Sequence, residues 1–173
     1  MIALYISDDQ ISLAHYSRVH SSPLLVSITA VDLQGSLVEN LSREERAVNH
    51  LINSIQEAND KVFITGNEIL ISLTDALVYH EVFQTEQDMS DADIINLVEW
   101  KKDKRWGSTA EKFQAFIELY NDRRQGHIIY AHDFLIKAIK KILQTFSGSP
   151  VWLGTRSTVL AALGKLPIMS IKL

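Results

Sequence analysis

Met1-Ile2-Ala3-Leu4-Tyr5-Ile6-Ser7-Asp8-Asp9-Gln10-Ile11-Ser12-Leu13-Ala14-His15-Tyr16-Ser17-Arg18-Val19 decides how the rest of the chain is read. Two apolar runs flank a tight polar turn, Ser7-Asp8-Asp9-Gln10, so the chain opens as a β-hairpin. Leu24–Leu33 alternates apolar and polar positions and is rich in β-branched residues, which predicts a third strand. Pro23 suits the start of an edge strand, because it has no N–H to give to a ladder.

Working outward, Ser42-Arg43-Glu44-Glu45 has the form of a capping box. Ala47, Val48, Leu51, Ile52 and Ile55 then recur at helical spacing, predicting an amphipathic helix over 43–58 that ends at Asn59-Asp60. Lys61–Thr65 reads as a short buried strand stopped at Gly66-Asn67. Ile69–Leu73 and Leu77–Phe83 read as further strands around Thr74-Asp75. A second helix is predicted to start at Ser90-Asp91-Ala92-Asp93, to turn Ile94, Leu97 and Val98 to one face, and to stop at Gly107. Phe113–Tyr120 and His127–Ala131 form a second hairpin through the polar loop 121–126.

The clearest helix is 133–146, with Leu135, Ala138, Ile139, Ile142, Leu143 and Phe146 as its apolar stripe and Ser147-Gly148 as its cap. Pro150–Leu153 is a short strand and Thr155–Leu163 a short helix ended by Gly164. The order of elements is that of a mixed α/β chain. It shows no internal repeat and no low-complexity segment.

Composition narrows the function classes. A length of 173 residues, with 46% apolar residues, fits one domain or one domain with a small lobe. The formal charge of −4 gives no electrostatic reason to expect nucleic acid. The absence of Cys excludes disulfides and thiolate metal sites and favours a reducing compartment. No run of eighteen apolar residues occurs, so no membrane-spanning helix is expected. The apolar run Leu166–Leu173 reads as if cut from a longer protein.

The hairpin Ile2–Val19 with its third strand, the segment Leu77–Trp100, and the hairpin, helix, strand and helix of 113–163 together resemble the PilM-like and GspL-like proteins of type IV pilus and type II secretion systems. The Ser90–Trp100 part is the most specific, because the family's corresponding helix also ends near a Glu-Trp pair. The resemblance implies an actin-like, ribonuclease-H-like α/β lobe whose second lobe is missing. It implies one domain over 1–173, with about 77–131 as a small inserted αβ subdomain. It further implies a cytoplasmic scaffold at the inner face of the bacterial inner membrane. Such a domain would dock the assembly ATPase or a polytopic inner-membrane core protein, and any membrane contact would run through a segment outside this chain.

In actin-like ATPases the opening hairpin holds metal and phosphate, and in this family its first phosphate loop reads Asp-Ile-Gly-Ser-Ser or close to it. The aligned residues here are Tyr5-Ile6-Ser7-Asp8-Asp9. Glycine would let phosphate approach the backbone. Carboxylates instead set like charge against an anion, at about 4 kcal/mol for a pair ~4 Å apart near a surface. No cofactor and no catalytic activity are therefore expected. The alternative is a fragment of an actin-like ATPase or sugar kinase that binds ATP and magnesium through Ser7, Asp8 and Asp9. Against it stands the plain reading that Asp favours and solvates hairpin turns.

Other candidates divide in the same way. The six His residues form no ligand spacing, and His127 and His132 bracket a strand and point in unlike directions. Lys101, Lys102, Lys104, Arg105 and Trp106 are the densest basic cluster, beside Glu99 and Asp103. Cations suit a helix C-terminus, so a solvated helix end explains them. Their functional reading is a protein-binding rim, because Trp and Arg dominate interface hot spots. The partner-binding candidates are Glu99, Trp100, Lys102, Arg105 and Trp106, with Arg123 and Arg124 in the hairpin loop. Dimerisation of the domain is left open by the sequence.

Overall fold

The structure, a computed structural model, describes residues 2–19, 22–61, 68–86, 89–120, 125–145, 149–155 and 168–171. Its elements are β1 (Ile2–Ile6), β2 (Gln10–Val19), β3 (Ser22–Asp32), α1 (Leu37–Asn40), α2 (Glu44–Lys61), β4 (Glu68–Leu73), β5 (Val78–Gln84), α3 (Asp91–Trp106), β6 (Phe113–Tyr120), β7 (Gln125–His132), α4 (Asp133–Thr145), β8 (Ser149–Thr155) and β9 (Ile168–Ile171).

The opening hairpin forms as its alternation dictates. Ile2, Leu4 and Ile6 are buried on one face of β1, and Ile11 and Leu13 join them from β2. β4 lies parallel on the other side of β1 and sets Ile69, Ile71 and Leu73 beside the same three positions. The sheet order is β3-β2-β1-β4-β8, with β2 antiparallel to its neighbours and β4 and β8 parallel to β1. The helices α2 and α4 pack on one another and on the buried face of this sheet, through Ala47, Leu51, Ile55 and Ala58 from α2 and Leu135, Ile136, Ile139 and Leu143 from α4. Each fully buried aliphatic side chain of this kind stabilises the fold by roughly 1.5–3 kcal/mol.

A second, antiparallel sheet has the order β5-β7-β6-β9. One face is covered by α3, whose Ile94 and Val98 pack against Phe83, Ala115, Ile117, Leu119, Ile128 and Tyr130. On the other face, Val78, Ile129 and Ala131 join the core of the first sheet, so β7 ties the two layers together.

Several boundaries differ from those read in the sequence. The helix expected over 43–58 starts at Glu44 and continues through Asn59 and Asp60 to Lys61. The carbonyl of Arg43, not a Ser42 cap, receives the first amides. An Asn-Asp pair does not stop a helix whose Ala58 is still packed and whose Lys61 bonds Glu57 one turn back. Lys61 is therefore helical, and the rest of the strand expected over 61–65, with Gly66-Asn67, lies outside the described residues. Leu77 belongs to a 3-10 turn rather than to β5. Thr155 ends β8 instead of starting a helix, and 156–163 lie outside the described residues, as do Gly164 and the predicted cap at 146–148. β9 was not expected: the apolar run near the chain end pairs with β6.

β2 and β3 overhang the first sheet. Ile2 pairs with His15, so the strands continue past the end of β1 as a two-stranded ribbon, with a bulge at His15/Tyr16. Leu24, Leu25 and Val26 are exposed there, and Ile28, exposed as well, lies just inside the sheet opposite Ala14.

Candidate functional site

The Ser7–Gln10 turn is closed by its own side chains. The Ser7 hydroxyl accepts from the Gln10 amide at 2.9 Å and lies 2.9 Å from an Asp9 carboxylate oxygen. Asp8 points the other way, toward the start of α1. Its Oδ1 accepts from the Val38 amide and from the Ser36 hydroxyl, both at 2.7 Å, while its carbonyl accepts from Leu37 at 2.8 Å. Ser36 in turn accepts from the Glu39 amide and caps α1. The Asp8 carboxylate thus already occupies the donors that would face an anion bound between this turn and α1. Asp9 is exposed, and its carbonyl accepts from Leu33.

The second candidate region is the C-terminal half of α3. The helix begins as its sequence prescribes: Ser90 and Asp93 form a reciprocal capping box, and the Ser90 hydroxyl and amide hold the Asp93 carboxyl below its usual range. It ends at Gly107, whose φ of 54° lies in the left-handed region that favours glycine.

Within this helix the predicted site residues separate by face. Trp106 stacks on Phe113 with ring centroids 4.4 Å apart and meets Tyr130 edge-on at 4.7 Å. It belongs to the aromatic packing under the helix end. Lys102 pairs with Glu99 on the same flank. On the opposite flank Trp100 is 55% exposed, and the Lys104 ammonium sits 4.9 Å from its ring centroid. Arg105 reaches toward β5, with its guanidinium 5.6 Å from the Tyr79 ring and 5.0 Å from that of Trp106. Lys101 also reaches β5, in an ion pair with Glu81. Glu81, Trp100, Lys101, Lys104 and Arg105 line an open groove of about 340 Å³.

The structure therefore brings Trp100 and Arg105 to one groove, while Glu99 and Lys102 pair outside it and Trp106, beside the Arg105 guanidinium, packs under the helix end. Arg123 and Arg124 lie outside the described residues. Glu81, Lys101 and Lys104 complete the groove and were not among the partner-binding candidates, although both lysines stood in the basic cluster. Lys104 could have been found from its i,i+4 spacing to Trp100, whereas β5 becomes a neighbour only through tertiary packing.

A third feature is a buried acid. Glu118 of β6 is 2% exposed, and its Oε1 has no hydrogen-bond partner. It lies across from His127 on the face turned away from α3. Burial alone pushes its carboxyl up to about 7. Burial first, and His80 second, push His127 down. His132 lies on the other face of the sheet, against the Phe113 ring, as the strand alternation requires. Among the described residues no three His, Asp or Glu side chains gather in a metal-binding arrangement, and no helix is long and apolar enough to cross a membrane.

The first sheet's order, its single reversed strand β2, and the helices α2 and α4 on one face define a ribonuclease-H-like lobe of the actin-like kind, carrying an added αβ unit. Among solved structures the chain is similar to the cytoplasmic domain of EpsL, an inner-membrane component of the type II secretion system of Vibrio cholerae, with a TM-score of 0.55 and 9% identity over 88% of this chain and 56% of that one. It is also similar to the PilM-PilN type IV pilus biogenesis complex, with a TM-score of 0.64 and 14% identity over 90% of this chain and 47% of that one. The chain spans about half the length of the solved structures it matches. No family model and no curated protein matches it by sequence. The likeness is one of fold, and that fold is the one the resemblance implied.

Proposed function

We propose that this chain is a non-catalytic cytoplasmic scaffold domain of an inner-membrane complex of the type IV pilus or type II secretion kind. In this reading 1–173 is one actin-like domain, and about 77–131 supply most of an inserted αβ subdomain that β9 extends. The domain docks the assembly ATPase, an inner-membrane core protein, or both, through the α3–β5 flank.

The observation that carries the reading is the fate of Asp8. In an actin-like hairpin adapted to nucleotide, small residues leave backbone amides free for phosphate. Here the Asp8 carboxylate takes the Val38 amide and the Ser36 hydroxyl itself. The same fold that holds an opened phosphate loop elsewhere is here pinned shut by its own side chain. That favours binding over catalysis. The similarity to a secretion component and to a pilus complex supports the setting.

The test is capture of partners. The tagged chain should retain the assembly ATPase or inner-membrane core protein encoded with it, and retention of neither overturns the reading. Titration with ATP and magnesium should give no saturable binding. Binding that Asp8→Ala abolishes would establish the ATPase-fragment alternative.

A further inference from the structure

The groove beside Trp100 runs along a free sheet edge. β5 is the terminal strand of the second sheet among the described residues. An unpaired edge presents a row of N–H and C=O groups ready for another strand, and proteins usually blunt such edges with proline, lysine or a bulge. The edge strands of the first sheet follow that rule. β3 carries Pro23 and β8 carries Pro150, and both pair with a shifted register. β5, Val78-Tyr79-His80-Glu81-Val82-Phe83-Gln84, has no proline and no lysine, and its register with β7 is unbroken.

We propose that β5 accepts an extended acidic segment of a partner protein as an added strand, in which acidic and aliphatic residues alternate. The chemistry follows from the two faces of β5. Tyr79, Glu81 and Phe83 point toward α3, and α3 holds Lys101, Lys104, Arg105 and Trp100 against that side of the edge. Three cations against one carboxylate leave the groove positive on a chain whose formal charge is −4. A strand added about 4.8 Å from β5 would send every second side chain into this groove. Carboxylates there meet the lysine and arginine groups, and Trp100 offers its exposed ring to the segment's backbone or stems.

The intervening side chains point to the opposite face. There Val82 is 62% exposed, and an aliphatic neighbour covers it. Main-chain pairing supplies the grip, and the alternation supplies the selectivity. This proposal rests on the scaffold reading only in that the strand comes from another protein.

The probe is a fluorescein-labelled nonapeptide of alternating valine and glutamate, titrated with the full chain and read by anisotropy. Saturable binding is expected. It should weaken by about tenfold or more with Lys104→Glu, whose exposed position spares the fold, and on raising salt from about 50 to 500 mM. Block-scrambling the same residues, or N-methylating alternate amides, should weaken it by a similar factor. Equal binding of the scrambled or N-methylated peptide, or no saturable binding at all, overturns the proposal. If the chain still captures its ATPase or membrane partner while ignoring the peptide, strand addition is wrong and the scaffold reading stands. If the peptide binds and neither partner is captured, the edge is a strand acceptor and the scaffold reading is the one that fails.

Discussion

The Ser7–Gln10 turn and the α3–β5 flank are both polar surfaces on a rigid sheet, and they dispose of their polar groups in opposite ways. In the turn, Ser7 and Asp8 close on backbone amides and a neighbouring hydroxyl. On the flank, Trp100 stands exposed, and Lys104 rests against its ring rather than against a carboxylate. A polar group that is already satisfied contributes to the fold, while a cation over an exposed indole keeps its charge available to a partner. The contrast is the reason the α3–β5 flank, and not the opening hairpin, is the proposed docking surface.

The contrast can be tested at five positions. The largest effect is expected at the helix end itself. Trp106→Ala removes an indole packed on Phe113 and Tyr130 and should cost about 3 kcal/mol in chemical denaturation. A cost below about 1 kcal/mol would mean that Trp106 belongs with the exposed flank.

Next is Glu118, which carries a pH dependence. Its folded carboxyl titrates at about 7, against 4.5 unfolded, so the folded state holds the extra proton in between. The stabilisation is full below pH 4.5 and is lost as pH rises through 7. Denaturation at pH 5 and pH 8 should show Glu118→Gln gaining about 2 kcal/mol on the native chain at the higher pH. An unchanged gap between the two pH values would refute the buried-acid assignment.

Asp8→Ala should cost about 1–2 kcal/mol by leaving Val38 and Ser36 without their acceptor, and a thermal melt reads it as a lowered midpoint. A neutral or stabilising result would reopen the turn as a site held ready for a ligand. Smallest in stability are Trp100→Ala and Asp9→Ala, each within about 0.5 kcal/mol of the native chain. Partner capture should separate them, falling with Trp100→Ala and unchanged with Asp9→Ala.

The sequence disclosed most of the fold where local chemistry is strong. The opening hairpin, the Ser90 box, the Gly107 stop and the stripe of α4 each rest on contacts within a few residues. What stayed hidden depends on tertiary neighbours. Ile69–Leu73 and Leu77–Phe83 read as consecutive strands, yet they enter different sheets, because only the first pairs with β1. Ile168–Ile171 is too short to announce itself without β6 beside it. Trp100 and Trp106 share a helix and a basic cluster, and no local signal says that one meets solvent and the other Phe113. Of the groove, the α3 half was visible in the sequence, and the β5 half was not.

The parallel pairing of β4 with β8 has a consequence for how the chain is made. Between Leu73 and Ser149 the ribosome delivers β5, α3, β6, β7 and α4 before β8 arrives to complete the first sheet. The β6–β7 hairpin and α3 are joined by short-range pairings, whereas β4 must wait for a strand about seventy-five residues later, and long loops close slowly. The β5-β7-β6 part of the second sheet, with α3, should therefore gain protection from hydrogen exchange first during synthesis or refolding, and β8 and then β9 should complete the two sheets on a piece already formed.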